Sequence, residues 1–396
     1  MDNFKRKAKQ VLIAAVGINV LNGITYTWSA FSLYMINNWG WTSKEASLPY
    51  TLHTVFSVAT MAILGGIVDK KGPKLIATLG SISLGMGLIL SGFTQDFRLF
   101  IIFISIMVGC GIGMHTVTTT PAALKWFPPE KKGLISGLVS GGVALSSIIY
   151  AFLGNFLINK YELNKSFLYM GILILVLTLT LARMLDIPYD NIEEKERSSD
   201  EGRHGRFSIL KDKTFYKIWF MKGFADSAGL MIFSHISIIA SIQANWDKGF
   251  ILIVLVSAFN GLGRVLGGFL SDKIGRSKLL KYIFIIQGVN LLLFSTYNTI
   301  FSMVLGVSIA GFCYGSGFGI FPAYISDLYG ERNFAQNYGF LLTAWAVGGT
   351  IGPMSAAAIF DAVGNYKMAY GLEFVLLLLA LAISFTIGKE ENLSSN

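Results

Sequence analysis

Charge is what this sequence has least of. Only 14% of its 396 residues are Asp, Glu, Lys or Arg, whereas 53% are hydrophobic and the mean hydropathy is +0.58. Soluble domains carry about a quarter charged residues, so a water-soluble fold is excluded. Two cysteines, Cys110 and Cys313, are too few for a disulfide framework or a four-cysteine metal site, and read as packing residues. The four histidines form no H-x-x-x-H or H-E-x-x-H pattern and the carboxylates are scattered, so neither a metal nor a cofactor is expected. No nucleophile stands at workable spacing from a base, which excludes an intramembrane enzyme. Net charge is +9, but no basic groove with interleaved aromatics points to nucleic acid.

Long apolar runs fill the space that charge leaves. Twelve runs lie near 10–35, 46–68, 75–95, 98–122, 134–158, 166–186, 217–242, 249–271, 281–297, 299–325, 338–361 and 367–388. Each is close to the roughly 20 residues that cross about 30 Å of hydrocarbon as helix. The first run is too long for a signal-peptide core and should remain as a span. With the N-terminus inside, 24 of the 32 lysines and arginines fall in inner segments and six in outer ones. Cytoplasmic loops retain such cations, so both termini should face the cytoplasm and the positive balance reflects topology in the cell's inner (plasma) membrane. One polar stretch of mixed charge, 188–213, reads as a cytoplasmic linker between six-span halves at 1–187 and 214–396.

The halves repeat. "GGIVDKKGPK" at 65–74 ends the second span, and "GGFLSDKIGRSK" at 267–278 ends the second span of the other half. Gly65, Asp69, Lys70 and Gly72 thereby correspond to Gly268, Asp272, Lys273 and Gly275, and further cations follow in each, among them Lys74 and Arg276. A glycine four residues before the aspartate permits close helix contact, and the aspartate can cap a neighbouring helix end beside a basic loop.

Twelve spans, a central linker and G-x-x-x-D-[KR]-x-G followed by further cations in both halves resemble the major facilitator superfamily. The expected fold is thus all-α and polytopic, with twelve transmembrane helices in two pseudo-symmetric six-helix halves. Within it, "GITYTWSAF" at 23–31, "KWFPPEKKG" at 125–133, "FNGLGR" at 259–264, "CYGSGFGIFPAYISDLYG" at 313–330 and "NYGFLLTAWAVGGTIGP" at 337–353 resemble the oxalate:formate antiporters, a branch related to the monocarboxylate transporters. That resemblance implies transport of small organic anions by alternating access, with an arginine of span eight in the substrate cavity, here Arg264. It also implies aromatic residues of spans one, four, ten and eleven around the substrate; Tyr26, Trp28, Tyr314, Phe318, Phe321 and Trp345 are the candidates.

Helix geometry bears on the same residue. Arg264 stands eight residues above Asp272, about 12 Å into the membrane, too deep for easy snorkelling. Its fork of donors suits a carboxylate, whether of a substrate or of the protein. Asn260, one turn away, can orient the guanidinium or the anion. Asp226 lies at nearly the same depth on span seven. It can pair with its i,i+4 neighbour Lys222, which is near enough to the interface to snorkel, face a lumen rim, or neutralise Arg264 and release it on taking up a proton. His115 can bind substrate or carry a proton, or simply tie helices together through a backbone carbonyl.

Oxalate-exchanging relatives carry a second cavity cation on span eleven, whereas 338–360 contains no lysine or arginine. A monoanion therefore fits better than a dianion, whose extra charge would be buried unpaired, although a cation from another span could compensate. The expected function is proton-coupled symport of monocarboxylates of the lactate, pyruvate or formate class by a monomer in the lipid bilayer. Carboxylate:carboxylate antiport is the alternative, and a non-transporting anion sensor represents another class.

Overall fold

The computed structural model describes residues 2–24, 28–188, 207–246 and 248–394, and among these it is helical with no strand. The helices are α1 (Asp2–Asn22), α2 (Trp28–Trp39), α3 (Ser43–Lys71), α4 (Pro73–Ser91), α5 (Phe97–Leu124), α6 (Lys132–Ala182), α7 (Lys213–Ala244), α8 (Phe250–Ile274), α9 (Arg276–Phe294), α10 (Ile300–Tyr329), α11 (Phe334–Val363) and α12 (Lys367–Ser394). Among the described residues, ten helical stretches are long and apolar enough to cross a membrane. The first expected span is carried by α1 and α2 together. The fifth and sixth share the 51-residue α6, which Glu162 breaks with non-helical φ 65° and ψ 166°. Span four also departs from a regular helix, because Ile101–Val108 within α5 is π-helical.

Side chains such as Phe152, Phe301 and Met354 are among the most exposed in the chain. In water an apolar surface of this kind would drive association; against lipid it is the compatible face, and backbone groups are satisfied inside each helix. The interior carries small residues and the few polar groups.

The chain folds as two compact units. One comprises residues 1–128, 139–202 and 329–340; the other comprises 129–138, 203–328 and 341–396. Most of the expected linker at 188–213, namely 189–206, lies outside the described residues. The first unit has an aromatic core in which Phe31 meets Phe167 at 4.9 Å and Trp41 meets Phe100 at 5.3 Å between ring centroids, both edge-on. Such geometry suits the ring quadrupoles. In the second unit α12 packs along both α7 and α9.

The repeated loops adopt matching structures, one in each unit. Gly72 and Gly275 take φ of 80° and 92°, a region that favours glycine, and so turn the chain tightly between α3 and α4 and between α8 and α9. Asp69 accepts hydrogen bonds from the backbone N–H groups of Ala335 (3.1 Å) and Gln336 (2.9 Å) in the first turn of α11, and Lys125 lies 3.7 Å from it. Asp272 accepts from Gly133 (2.8 Å) and Leu134 (2.7 Å) in the first turn of α6. A carboxylate at a helix N-terminus meets unsatisfied donors and the positive end of the helix dipole, which is why aspartate occupies both positions. Arg276 holds Asp272 through Nη1 at 2.5 Å and Asp327 through Nε at 3.0 Å. Gly65 and Gly268 let these caps form: a Cβ on Gly65 would lie 2.5 Å from the Ala335 carbonyl, and one on Gly268 would overlap the Gly133 carbonyl. Lys70, Lys74 and Lys273 point outward, Lys273 resting on the Phe269 ring at 4.4 Å.

Candidate functional site

Arg264 and Asn260 stand one turn apart on α8, and the turn is packed on two sides by glycines. Cβ atoms at Gly315 and Gly319 of α10 would strike the carbonyls of Asn260 and Arg264, and one at Gly137 of α6 would strike Arg264 again. Backbones this close fix the arginine's position while leaving its side chain room to extend. Arg264 is 4% exposed; its Nε donates to Asn260 Oδ1 at 3.0 Å, and its guanidinium carbon lies 4.2 Å from the centre of the Phe318 ring. Stacking on an aromatic face is a geometry suited to a planar cation.

A second cation bears on the same ring. Lys222 Nζ lies 4.3 Å from the Phe318 centroid and 5.4 Å from that of Phe321. The residue is 1% exposed, so the expectation that it snorkels to the interface does not hold. Two features compensate its desolvation: the aromatic faces, and Asp226 one turn along α7, whose Oδ2 is 2.8 Å from Nζ. Neither atom of that pair has a hydrogen-bond partner outside it among the described residues. Asp226 therefore forms its ion pair with Lys222, while the charge of Arg264 also acts on it from α8. Two cations and one carboxylate leave this cluster with a single positive charge.

The aromatic candidates of spans ten and eleven continue from it. Phe318 packs edge-on to Tyr314 at 5.4 Å, and the Tyr314 hydroxyl accepts a hydrogen bond from Trp345 Nε1 at 3.1 Å. Arg264, Asn260, Lys222, Asp226, Phe318, Tyr314 and Trp345 thus form one connected set within the second unit, contributed by α7, α8, α10 and α11.

Other candidates lie elsewhere. Tyr26 is outside the described residues. Trp28 is buried in the aromatic core of the first unit, its indole N–H donating to the Ala46 carbonyl at 2.9 Å. His115 is fully buried in that unit: Nδ1 lies 2.7 Å from Asn22 Oδ1, and Nε2 lies 3.0 Å from Ser81 Oγ and 3.2 Å from the Ala77 carbonyl. Both ring nitrogens are engaged in tying α1, α4 and α5 together, the helix-packing alternative of the sequence reading. Cys110 and Cys313 are free thiols.

Sequence reasoning missed Glu373. It sits on α12, is 0% exposed, and accepts a hydrogen bond from Ser227 Oγ at 2.9 Å. Ser227 directly follows Asp226. One negative residue in the last apolar run, 367–388, was the available signal.

The comparisons with known proteins agree with this architecture. The sequence profile of the Major Facilitator Superfamily matches residues 13–289 and 230–395. The chain is 24% identical over 383 residues to the oxalate:formate antiporter of Oxalobacter formigenes, covering 94% of this chain and 90% of that one. It is also 24% identical to monocarboxylate transporter 13 of Rattus norvegicus (80% and 74% covered) and to apicoplast pyruvate carrier 1 of Toxoplasma gondii (74% and 66% covered). Among solved structures, the E. coli fucose:proton symporter superposes with a TM-score of 0.75 at 14% identity, covering 98% of each chain. The human organic anion transporter MFSD10 gives 0.72 at 13% identity, with 95% of this chain and 99% of that one covered. With a twelve-span helical fold, twin capped loops and a profile matching across both halves, this chain belongs to the Major Facilitator Superfamily and is a polytopic membrane transporter.

Proposed function

We propose that this transporter carries small monocarboxylates of the lactate, pyruvate or formate class together with a proton, by alternating access. The single observation behind the reading is the Arg264 guanidinium, buried at mid-helix, oriented by Asn260 and laid on Phe318. A carboxylate is the ligand whose two oxygens match that fork, and a buried cation gains most from an anion where water is excluded. Lys222 and Asp226 cancel, so one net positive charge remains for one negative charge, in accord with a monoanion. Phe318, Tyr314 and Trp345 supply an apolar wall of limited size. His115 has no part in this reading, because its ring bonds are used for packing.

A monoanion and a proton together move no net charge, so neither the membrane potential nor a buried unpaired ion opposes the loaded crossing. The aspartate caps of Asp69 and Asp272 are the proposed gate elements, broken and remade as access alternates at the loop end. Both termini are proposed to lie in the cytoplasm, with the protein in the plasma membrane as a monomer.

Antiport of two carboxylates is the second reading, favoured by the extent of the match to the oxalate:formate antiporter. Uptake into proteoliposomes across a carboxylate panel, with and without a pH gradient, separates the two. Symport predicts accumulation driven by the gradient with no carboxylate preloaded; antiport predicts uptake only into preloaded vesicles. If no carboxylate moves, or Arg264→Ala transports as well as the parent, the anion reading falls.

A further inference from the structure

Proton coupling needs a group that gains and loses a proton inside the membrane. Of the two candidates from sequence, His115 has both ring nitrogens bonded within the first unit, and the Asp226 carboxylate is locked against Lys222 at 2.8 Å with both side chains 2% exposed. Removing its negative charge would strand a buried ammonium. Glu373 is as deeply buried, at 0% exposed, but among the described residues it is not locked to a cation. Oε1 is held by the Ser227 hydroxyl, and among the described residues Oε2 has no hydrogen-bond partner and no cation pairs with the carboxyl.

We propose that Glu373 is the residue that carries the coupled proton, with Ser227 as its positioning residue. The proposal rests on the symport reading above and names its proton site. A carboxyl with no cation beside it can be buried in low dielectric as the neutral acid, whereas the bare carboxylate needs water or a counter-charge. The step is a simple protonation. The carboxylate takes a proton from water on the entry side, holds it as the acid while access alternates, and returns the proton to water on the exit side. No electrons move and no other bond forms or breaks.

The neighbours of Glu373 suit this role. On α7 the charged groups are Asp226, adjacent to Ser227, and Lys222 one turn before, and these neutralise each other. His235, further along α7, is engaged by the Pro353 carbonyl at 3.0 Å and the Tyr366 hydroxyl at 3.0 Å. The cations of α9, Arg276, Lys278 and Lys281, are confined to its first six residues; its interior polar groups are Gln287 and Asn290. On α10 the titratable groups on this side are Cys313 and Tyr314. The apolar part of α11 that packs on Ser227 through Gly352 carries no lysine, arginine or histidine. On α12 itself Tyr370, one turn before, bonds Gln243 at 3.3 Å. Among the described residues, Glu373 is thus the one carboxyl in this neighbourhood without an opposing charge.

A small cavity in the second unit is lined by Gln287, Cys313, Tyr314 and Leu377 together with residues of α7. Leu377 is one turn from Glu373 on α12, and Tyr314 is the residue to which Trp345 donates. Gln287 Nε2 has no hydrogen-bond partner there among the described residues, a polar group suited to a water or to the free carboxyl oxygen. The same tyrosine therefore belongs to the arginine cluster and lines the small cavity that Leu377 reaches one turn along α12 from the proposed proton site.

The test uses the full chain in proteoliposomes and reads two quantities: exchange of labelled lactate at equal pH on both sides, and lactate accumulation driven by a pH gradient. Glu373→Gln should keep exchange and lose accumulation, and Glu373→Asp should recover accumulation. Accumulation by Glu373→Gln equal to the parent's overturns the proposal alone. A parent that exchanges lactate yet ignores the pH gradient overturns the symport reading and the proposal with it. Should Glu373→Gln lose both activities, the unmutated protein decides. A hydrophobic carbodiimide, which reacts with protonated carboxyls in apolar surroundings, should form an adduct at Glu373, mapped by mass spectrometry, that diminishes as pH rises. An adduct at Asp226 and none at Glu373 overturns the assignment.

Discussion

Changing Asp226 to Asn alters the valence of the site while barely altering its shape. In the parent protein Asp226 Oδ2 is 2.8 Å from Lys222 Nζ, both out of reach of solvent. Removing one member of a buried ion pair costs about 3–5 kcal/mol, because the other charge is left uncompensated. The Phe318 ring at 4.3 Å and the Phe321 ring at 5.4 Å remain and offset about 0.5–2 kcal/mol of this. A deficit of about 1–4.5 kcal/mol then falls on Lys222. A substrate bringing a second negative charge can relieve it, because Lys222 and Arg264 lie against the same ring. If all of the deficit is recovered, preference for a dianion over a monoanion rises by a ceiling of about 5- to 1,600-fold, at about 1.4 kcal/mol per tenfold. The assay is inhibition of labelled lactate uptake by oxalate against inhibition by formate. Asp226→Asn should shift the ratio toward oxalate, and Lys222→Met with Asp226→Asn, which restores one net positive charge, should shift it back. An unchanged ratio in an Asp226→Asn protein that still transports lactate would refute the charge-count reasoning.

Three further outcomes follow from the geometry. Arg264→Lys keeps the charge but loses the fork bonded to Asn260 at 3.0 Å; substrate KM should rise about 10- to 100-fold, from loss of a bidentate charged contact. Trp345→Phe removes the donor to Tyr314, worth about 0.5–1.5 kcal/mol, and should weaken lactate binding by no more than about tenfold in equilibrium titration. Asp272→Asn weakens two hydrogen bonds to the first turn of α6, each worth about 1.5–3 kcal/mol when charged, and should lower the melting temperature in detergent and slow turnover together. Unchanged melting and turnover would show that the cap contributes nothing to either.

Much of this protein was legible in the chain because a membrane imposes its rules locally. Each span must satisfy its own backbone and present apolar side chains, so span number and helical class are written into run lengths. The twin loops were readable for the same reason: glycine, aspartate and cation stand within ten residues in each, and each aspartate caps a helix start. Arg264 stood out because a lone cation in an apolar run needs an explanation wherever it lies.

What the run lengths could not reveal is which groups meet across helices. Lys222 at the edge of a run reads as a snorkelling residue, and only the packing of α7 against Phe318 and Phe321 shows it turned inward and paired. His115 has the chemistry of a proton carrier, yet Asn22, Ser81 and Ala77 come from two other helices to occupy it. Glu373 carries no flanking pattern at all, and its meaning depends on Ser227, 146 residues earlier in sequence and 2.9 Å away. Sequence by itself thus determined the spans, the repeat and the lone cation of an apolar run, because hydropathy and turn chemistry act between near neighbours. The charge balance of the site belongs to the tertiary structure, because an ionic group in an apolar interior is defined by what lies within a few ångströms of it.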